Sequence, residues 1–135
     1  MMIDRYDWYR WAFPFRTKKQ RKLRQNREGE SLESFTKSLD EGPCRHVVAA
    51  FLWKHIRDEL AFVPDFRPAA NDSFSKVYGL HIDDLRDDVL DPLTDQCGID
   101  TSGMDFAGQD LSLIDTPADV NRFISGLATS RQNDG

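Results

Sequence analysis

Five aspartates, Asp84, Asp87, Asp88, Asp91 and Asp95, recur at three- and four-residue intervals, the spacing that gathers side chains on one face of a helix. Carboxylates set this way either ligate a hard cation or present a negative face to a basic partner. The cation reading fails on pattern. His81, Asp83, Asp84, Asp87 and Asp88 offer oxygen and nitrogen donors, but a calcium loop alternates its donors around a glycine turn. Neither this run nor Asp100-Thr-Ser-Gly-Met-Asp105 does so. Other reactive types are sparse. Cys44 and Cys97 have no metal-binding spacing, and a nucleophilic thiol would need a base that only His46 or His81 offers nearby in sequence, so both are expected to be small buried thiols in a reducing compartment. His55 borders an apolar stripe and is expected to be structural. No Ser-His-Asp set, Cys-His pair, glycine-rich phosphate loop or spaced ligand set is visible, so no catalytic residue, metal or cofactor is expected, and the chain is expected not to be an enzyme.

A second constellation lies near the start. Tyr6, Trp8, Tyr9, Trp11, Phe13 and Phe15 alternate with Arg5, Arg10 and Arg16, and a basic run follows from Lys18 to Arg27. Rings of this kind settle at the headgroup level of a membrane while cations meet phosphate, so Trp8, Trp11, Phe15, Lys18, Lys19, Arg21, Lys22 and Arg24 are candidates for contact with a membrane surface or another anionic partner. The alternative is a head that folds back and lays its rings on the domain. Pro14 is expected to interrupt any long amphipathic helix there. The formal charge of −5 conceals a division into a head of about +7 over residues 1–27 and a body of about −12. An acidic body cannot release the counterions that duplex binding exploits, and basic residues among aromatics are only a weak sign of single-strand binding, so a nucleic-acid partner is not expected.

The elements that would position these groups follow from periodicity. The 135 residues, 39% hydrophobic, suit one modest core with an appendage. Leu32, Phe35 and Leu39 mark a short amphipathic helix with Ser31 as its cap, and Gly42 and Pro43 separate it from the next. Val48, Phe51, Leu52, Ile56 and Leu60 predict the clearest helix, between Cys44 and Phe62. The stretch from Val63 to Gly79, with Pro64 and Pro68, reads as a long loop anchored by Phe66, Phe74, Val77 and Tyr78. A helix capped by Asp83 or Asp84 runs to about Gln96, apolar at Leu85, Val89, Leu90 and Leu93, with Pro92 expected to kink or end it. A short turn is expected around Met104 to Asp110. Thr116, Pro117 and Asp119 start a last helix with Val120, Phe123, Ile124 and Leu127 inward, and residues 129–135 read as a disordered tail. Phe51, Leu85, Leu93, Val120 and Phe123 should then share one interior. No apolar run is long enough to span a membrane and no signal-peptide core is present, so a cytoplasmic location is expected, with peripheral membrane contact through the head as the variant.

Asp72-Ser-Phe-Ser-Lys-Val-Tyr-Gly79 followed by the acidic helix, and Ile114-Asp-Thr-Pro-Ala-Asp-Val-Asn-Arg-Phe-Ile124, resemble the loop and closing helix of acyl carrier proteins. The likeness covers Pro43 to Leu127. Ser31-Leu-Glu-Ser-Phe35 ahead of it is similar to bacterial carrier-like proteins that join such a segment to a helical domain. The resemblance implies an all-α bundle of three main helices and a short one over residues 43–128, preceded by an aromatic and basic extension over residues 1–42. It also implies an acidic second helix that docks basic patches on partner proteins. In that family a serine at the start of the second helix carries phosphopantetheine. Here Leu80-His-Ile-Asp-Asp-Leu85 leaves Ile82 or Asp83 at that place, so the arm has no attachment point unless Ser73 or Ser75 serves instead. The sequence thus leads to a non-enzymatic, protein-binding carrier-like domain. The alternatives are a carrier on an unorthodox serine and a peripheral membrane protein held by its head.

Overall fold

Side-chain caps mark the start of several elements of this chain, at Ser31, Ser73 and His81. The computed structural model describes residues 14–99, 111 and 113–133. Helix α1 spans Pro14–Asn26, with proline in the first turn, where a missing N–H leaves no helical bond unmade. Pro14 therefore opens this helix, and the aromatic stretch that precedes it lies outside the described residues. Helix α2, Leu32–Ser38, opens on a reciprocal box in which Ser31 and Ser34 each accept from the other's backbone N–H. Helix α3, Arg45–His55, continues into a wide π turn over Ile56–Leu60. A second π turn covers Phe74–Tyr78, a stretch expected to be loop. Its four anchors behave as expected: Phe66, Phe74, Val77 and Tyr78 are all buried.

The acidic helix is built from three pieces without a break: α4 (Ile82–Leu85), a π turn (Arg86–Leu90) and α5 (Asp91–Gln96). Its cap is His81, whose Nδ1 accepts from Asp83 N, and not an aspartate. Pro92 neither ends nor visibly breaks it. The π turn lies just ahead of the proline and Asp91 N–H bonds Arg86 O, five residues back, so the crowding a proline brings is absorbed by a locally widened turn.

Helix α6, Pro117–Asn133, passes the boundary where a tail was expected at residue 129. The reason is chemical: Ala128 to Asn133 contains no glycine or proline to stop it. The expected turn around Met104 to Asp110 lies outside the described residues. Those residues contain helices and turns but no strand, which makes the fold all-α at this level.

One interior unites these elements, with α3 packed against α2, α5 and α6. Val48, Leu52, Ile56, Leu85, Val89, Leu90, Leu93, Val120 and Ile124 are almost completely buried in one cluster, and Phe51 and Phe123 pack on it half-buried. The same cluster includes Phe35 and Leu39 of the α2 segment, and Leu23 of α1 packs against it, so residues 14–42 share the core of residues 43–128. Between α2 and α3, Gly42 lies so close to α6 that a Cβ there would meet Ser125 Oγ at 2.5 Å.

Candidate functional site

The buried side of the acidic helix fixes what its other side shows. With Leu85, Val89, Leu90 and Leu93 inward, Asp83, Asp87, Asp91 and Asp95 are exposed, while Asp84 and Asp88 are half-buried flanks. Of the five aspartates named by α-helical spacing, Asp87, Asp91 and Asp95 thus lie on the outward line, Asp84 and Asp88 flank it, and Asp83 joins it. The wider turn contributes: with its backbone bonded five residues back it holds more residues per turn than an α-helix, which offsets the drift of positions four apart on either side of it. Arg86 offsets part of the crowding, placing Nε 3.0 Å from Asp87 Oδ1 and Nη1 3.8 Å from Asp83 Oδ1. The Arg86 cation is held above its usual range by the hydrogen bond to Asp87 and by the neighbouring carboxylates. Where the row ends, Gln96 lines a groove of about 410 Å³ with Ala50, Phe51, Lys54, His55 and Asp58, in which the Phe51 and His55 rings stack at 5.5 Å.

A cationic face lies on α1. Lys18, Lys19, Arg21 and Lys22 are exposed, and Arg24 is half-buried with Nη1 donating to Pro64 O at 2.8 Å. Trp8 and Trp11 are outside the described residues, and Phe15 falls within α1. The opposite face of α1 carries chemistry that sequence reasoning missed. Gln20 is fully buried, donating through Nε2 to Val77 O at 2.8 Å and accepting from Phe62 N at 2.7 Å. Arg27, just beyond α1, grips the buried Asp72 with both Nη atoms and donates to Arg67 O at 2.9 Å, its guanidinium 5.5 Å from the centre of the Phe66 ring. Tyr78 Oη and Ala69 N also donate to Asp72. Burial, then the negative charge of Asp72, raises the Tyr78 hydroxyl well above its ordinary range. Only the dense clustering of buried-type rings around Asp72 in sequence hinted at such a centre.

The serines upstream of the acidic helix are already occupied. Ser73 Oγ donates to Asp115 and accepts from Lys76 N at 3.0 Å, while Ser75 Oγ lies 3.1 Å from Asp115 Oδ1. These bonds cap the Phe74–Tyr78 turn and tie it to the approach to α6. Of the positions matching the carrier serine, Ile82 is half-buried and Asp83 exposed.

Both cysteines are free thiols: Cys44, buried, precedes α3, and Cys97, half-buried, follows α5. Burial first, and then the influence of the Cys44 thiol, pushes the Cys97 thiol up to about 12. Among the described residues no three His, Cys, Asp or Glu side chains are grouped to hold a metal ion, and no helix is long and apolar enough to cross a membrane. No family model, curated protein or solved structure matches this chain.

Proposed function

We propose that the chain is a non-enzymatic interaction domain that docks a protein partner bearing a basic surface through the face of α4, the Arg86–Leu90 turn and α5. The observation that carries this reading is the line Asp83, Asp87, Asp91 and Asp95, exposed on a helix whose opposite side is locked in the core. A row of like charges raises the energy of an isolated helix, and a cationic partner relieves it. Charge alone gives fast encounter and specificity more than affinity, so a docking face also needs an apolar foothold. The groove lined by Ala50, Phe51, Lys54, His55, Asp58, Glu59 and Gln96 adjoins the end of the row, and within it Ala50 and Phe51 give that foothold.

The experiment is capture of partners by the full chain against an Asp87→Lys, Asp91→Lys, Asp95→Lys variant, read by quantitative mass spectrometry with thermal melts of both. Basic proteins enriched by the parent chain should fall at least tenfold with the variant and with raised salt, while both melt alike. Equal enrichment would reject the acidic face as the docking surface.

A second reading rests on the exposed Lys18, Lys19, Arg21 and Lys22 of α1, which present a cationic face suited to an anionic membrane. The carrier reading on Ser73 or Ser75 is weaker, because both hydroxyls already serve Asp115 and the cap of the Phe74–Tyr78 turn.

A further inference from the structure

The acidic helix begins on a side chain of a type that changes charge near neutral pH. His81 holds extended backbone at the cap position, with φ −78° and ψ 152°, and its Nδ1 accepts from Asp83 N at 3.2 Å. Only a neutral ring can do this, because both nitrogens of an imidazolium are donors. The same Nδ1 lies 3.6 Å from Asp83 Oδ2, so an acceptor suited to the protonated ring is already beside it. The two side chains are 63% and 65% exposed, open to solvent protons and able to turn. Their surroundings are fixed: Leu80 is buried with its N–H bonded to Phe74 O, and Leu85 is buried with its N–H bonded to His81 O. A change at His81 is therefore confined to the first turn. The charged side chains of the adjoining elements are Asp83, Asp84 and Arg86 on the helix and Lys76 on the turn before it. Among the described residues no carboxylate other than Asp83 lies within 4.0 Å of the His81 nitrogens.

We propose that His81 is a proton-operated cap that sets both the first turn of the acidic helix and the charge at the head of its aspartate row. Its effect on a partner rests on the docking reading above. With the ring neutral, Nδ1 holds the Asp83 amide, and the exposed Asp83 carboxylate is the first negative charge of the row. When the ring takes a proton from solvent, Nδ1 can no longer accept, the amide is released, and the ring turns so that Nδ1–H donates to Asp83 Oδ2. The row then loses one of its four exposed charges to an ion pair, and Arg86 is left to Asp87, which it already approaches to 3.0 Å. The positive end of the helix dipole disfavours a cation at this position, so the first turn loosens as the carboxylate is paired. Acid thus weakens the start of the face and its charge together.

The test follows the full chain alone by NMR between about pH 8 and about pH 5, beside a His81→Asn variant. At the alkaline end the His81 ring should carry its hydrogen on Nε2. On acidification the Asp83 amide shift should move with the same midpoint as the ring, and the Leu85 amide should exchange about fivefold faster than in His81→Asn, the loss expected of one side-chain cap. Asparagine caps without titrating, so the Asp83 amide of the variant should stay still, and any effect of His46 or His55 would appear in both chains. A ring hydrogen on Nδ1 at the alkaline end, an Asp83 amide that ignores the ring, or one that moves equally in the variant would each overturn the cap. Capture of basic partners at about pH 7.5 and about pH 5.5 then tests the link to docking, where the parent should lose about threefold more than His81→Asn. Equal loss would reject the cap as a regulator of docking. Capture of nothing by either chain at either pH would reject the docking face, and the spectra alone would then decide the cap.

Discussion

Asp72 accepts from more groups than any other carboxylate described above: Arg27 through both Nη atoms, Tyr78 Oη and Ala69 N, in a setting where its side chain is 5% exposed. A buried ion pair gains little over an apolar pair of the same shape, but removing one member strands the other without solvent. Arg27, at 15% exposed, would be left beside Phe66 with Arg67 O as its remaining acceptor among these groups, and Tyr78 would lose its partner. Asp72→Ala should therefore cost about 3 kcal/mol in urea unfolding. A loss below ~1 kcal/mol would mean that the network is no stronger than an exposed pair. This centre was hidden in the sequence for a physical reason. Asp72 and Arg27 are 45 positions apart, and no periodicity reports a contact that depends on how α1 crosses the loop after α3.

At the scale of elements, local rules served well where a local interaction decides. Ser31, Thr116, Pro117 and Asp119 were legible as helix starts because a cap is satisfied within four residues. Thr116 Oγ1 accepts from Asp119 N at 3.1 Å, and Asp119 Oδ2 accepts from Asp115 N and Thr116 N. Burial works against the Asp119 carboxylate, yet these bonds and that from Arg122 outweigh it and hold the group below its ordinary range. A carboxyl lowered by folding stabilises the native state above its unfolded value, near pH 4, and that contribution is lost as pH falls through the lower folded value. Asp119→Asn should flatten the acid limb of a plot of Tm against pH below about pH 4, and an acid limb equal to the parent's would remove this cap from the account. The π turns were not legible. Apolar residues spaced three and four apart fit an α-helix and a helix with one widened turn alike, so the sequence could not show that Asp83, rather than Asp84, heads the outward row.

The whole molecule divides its charge by face. Aspartates line the α4–α5 face and lysines the outer side of α1, but both sit on one core, because Leu23 packs against it and Gln20 and Arg27 bind groups belonging to the α3–α4 connection. The composition of residues 1–27 revealed their charge and not this attachment, which rests on Leu23, on Arg27 and on Gln20, a buried polar residue that no hydrophobic pattern marks. The consequence bears on the membrane reading. Deleting residues 1–27 would strip Val77 O and Phe62 N of their partner and leave the carboxylate of Asp72 without its cation, so the truncated chain should melt well below the parent by circular dichroism. Its loss of membrane binding would then report unfolding as readily as a missing surface. Reversal of Lys18, Lys19, Arg21 and Lys22 to glutamate changes only exposed side chains and leaves Gln20 and Arg27 in place. If α1 meets anionic lipid, that variant should keep the parent's melting temperature and fail to float with phosphatidylserine vesicles that carry the parent. Flotation of both chains, or of neither, would exclude the cationic face as a membrane contact and leave its role to stability alone.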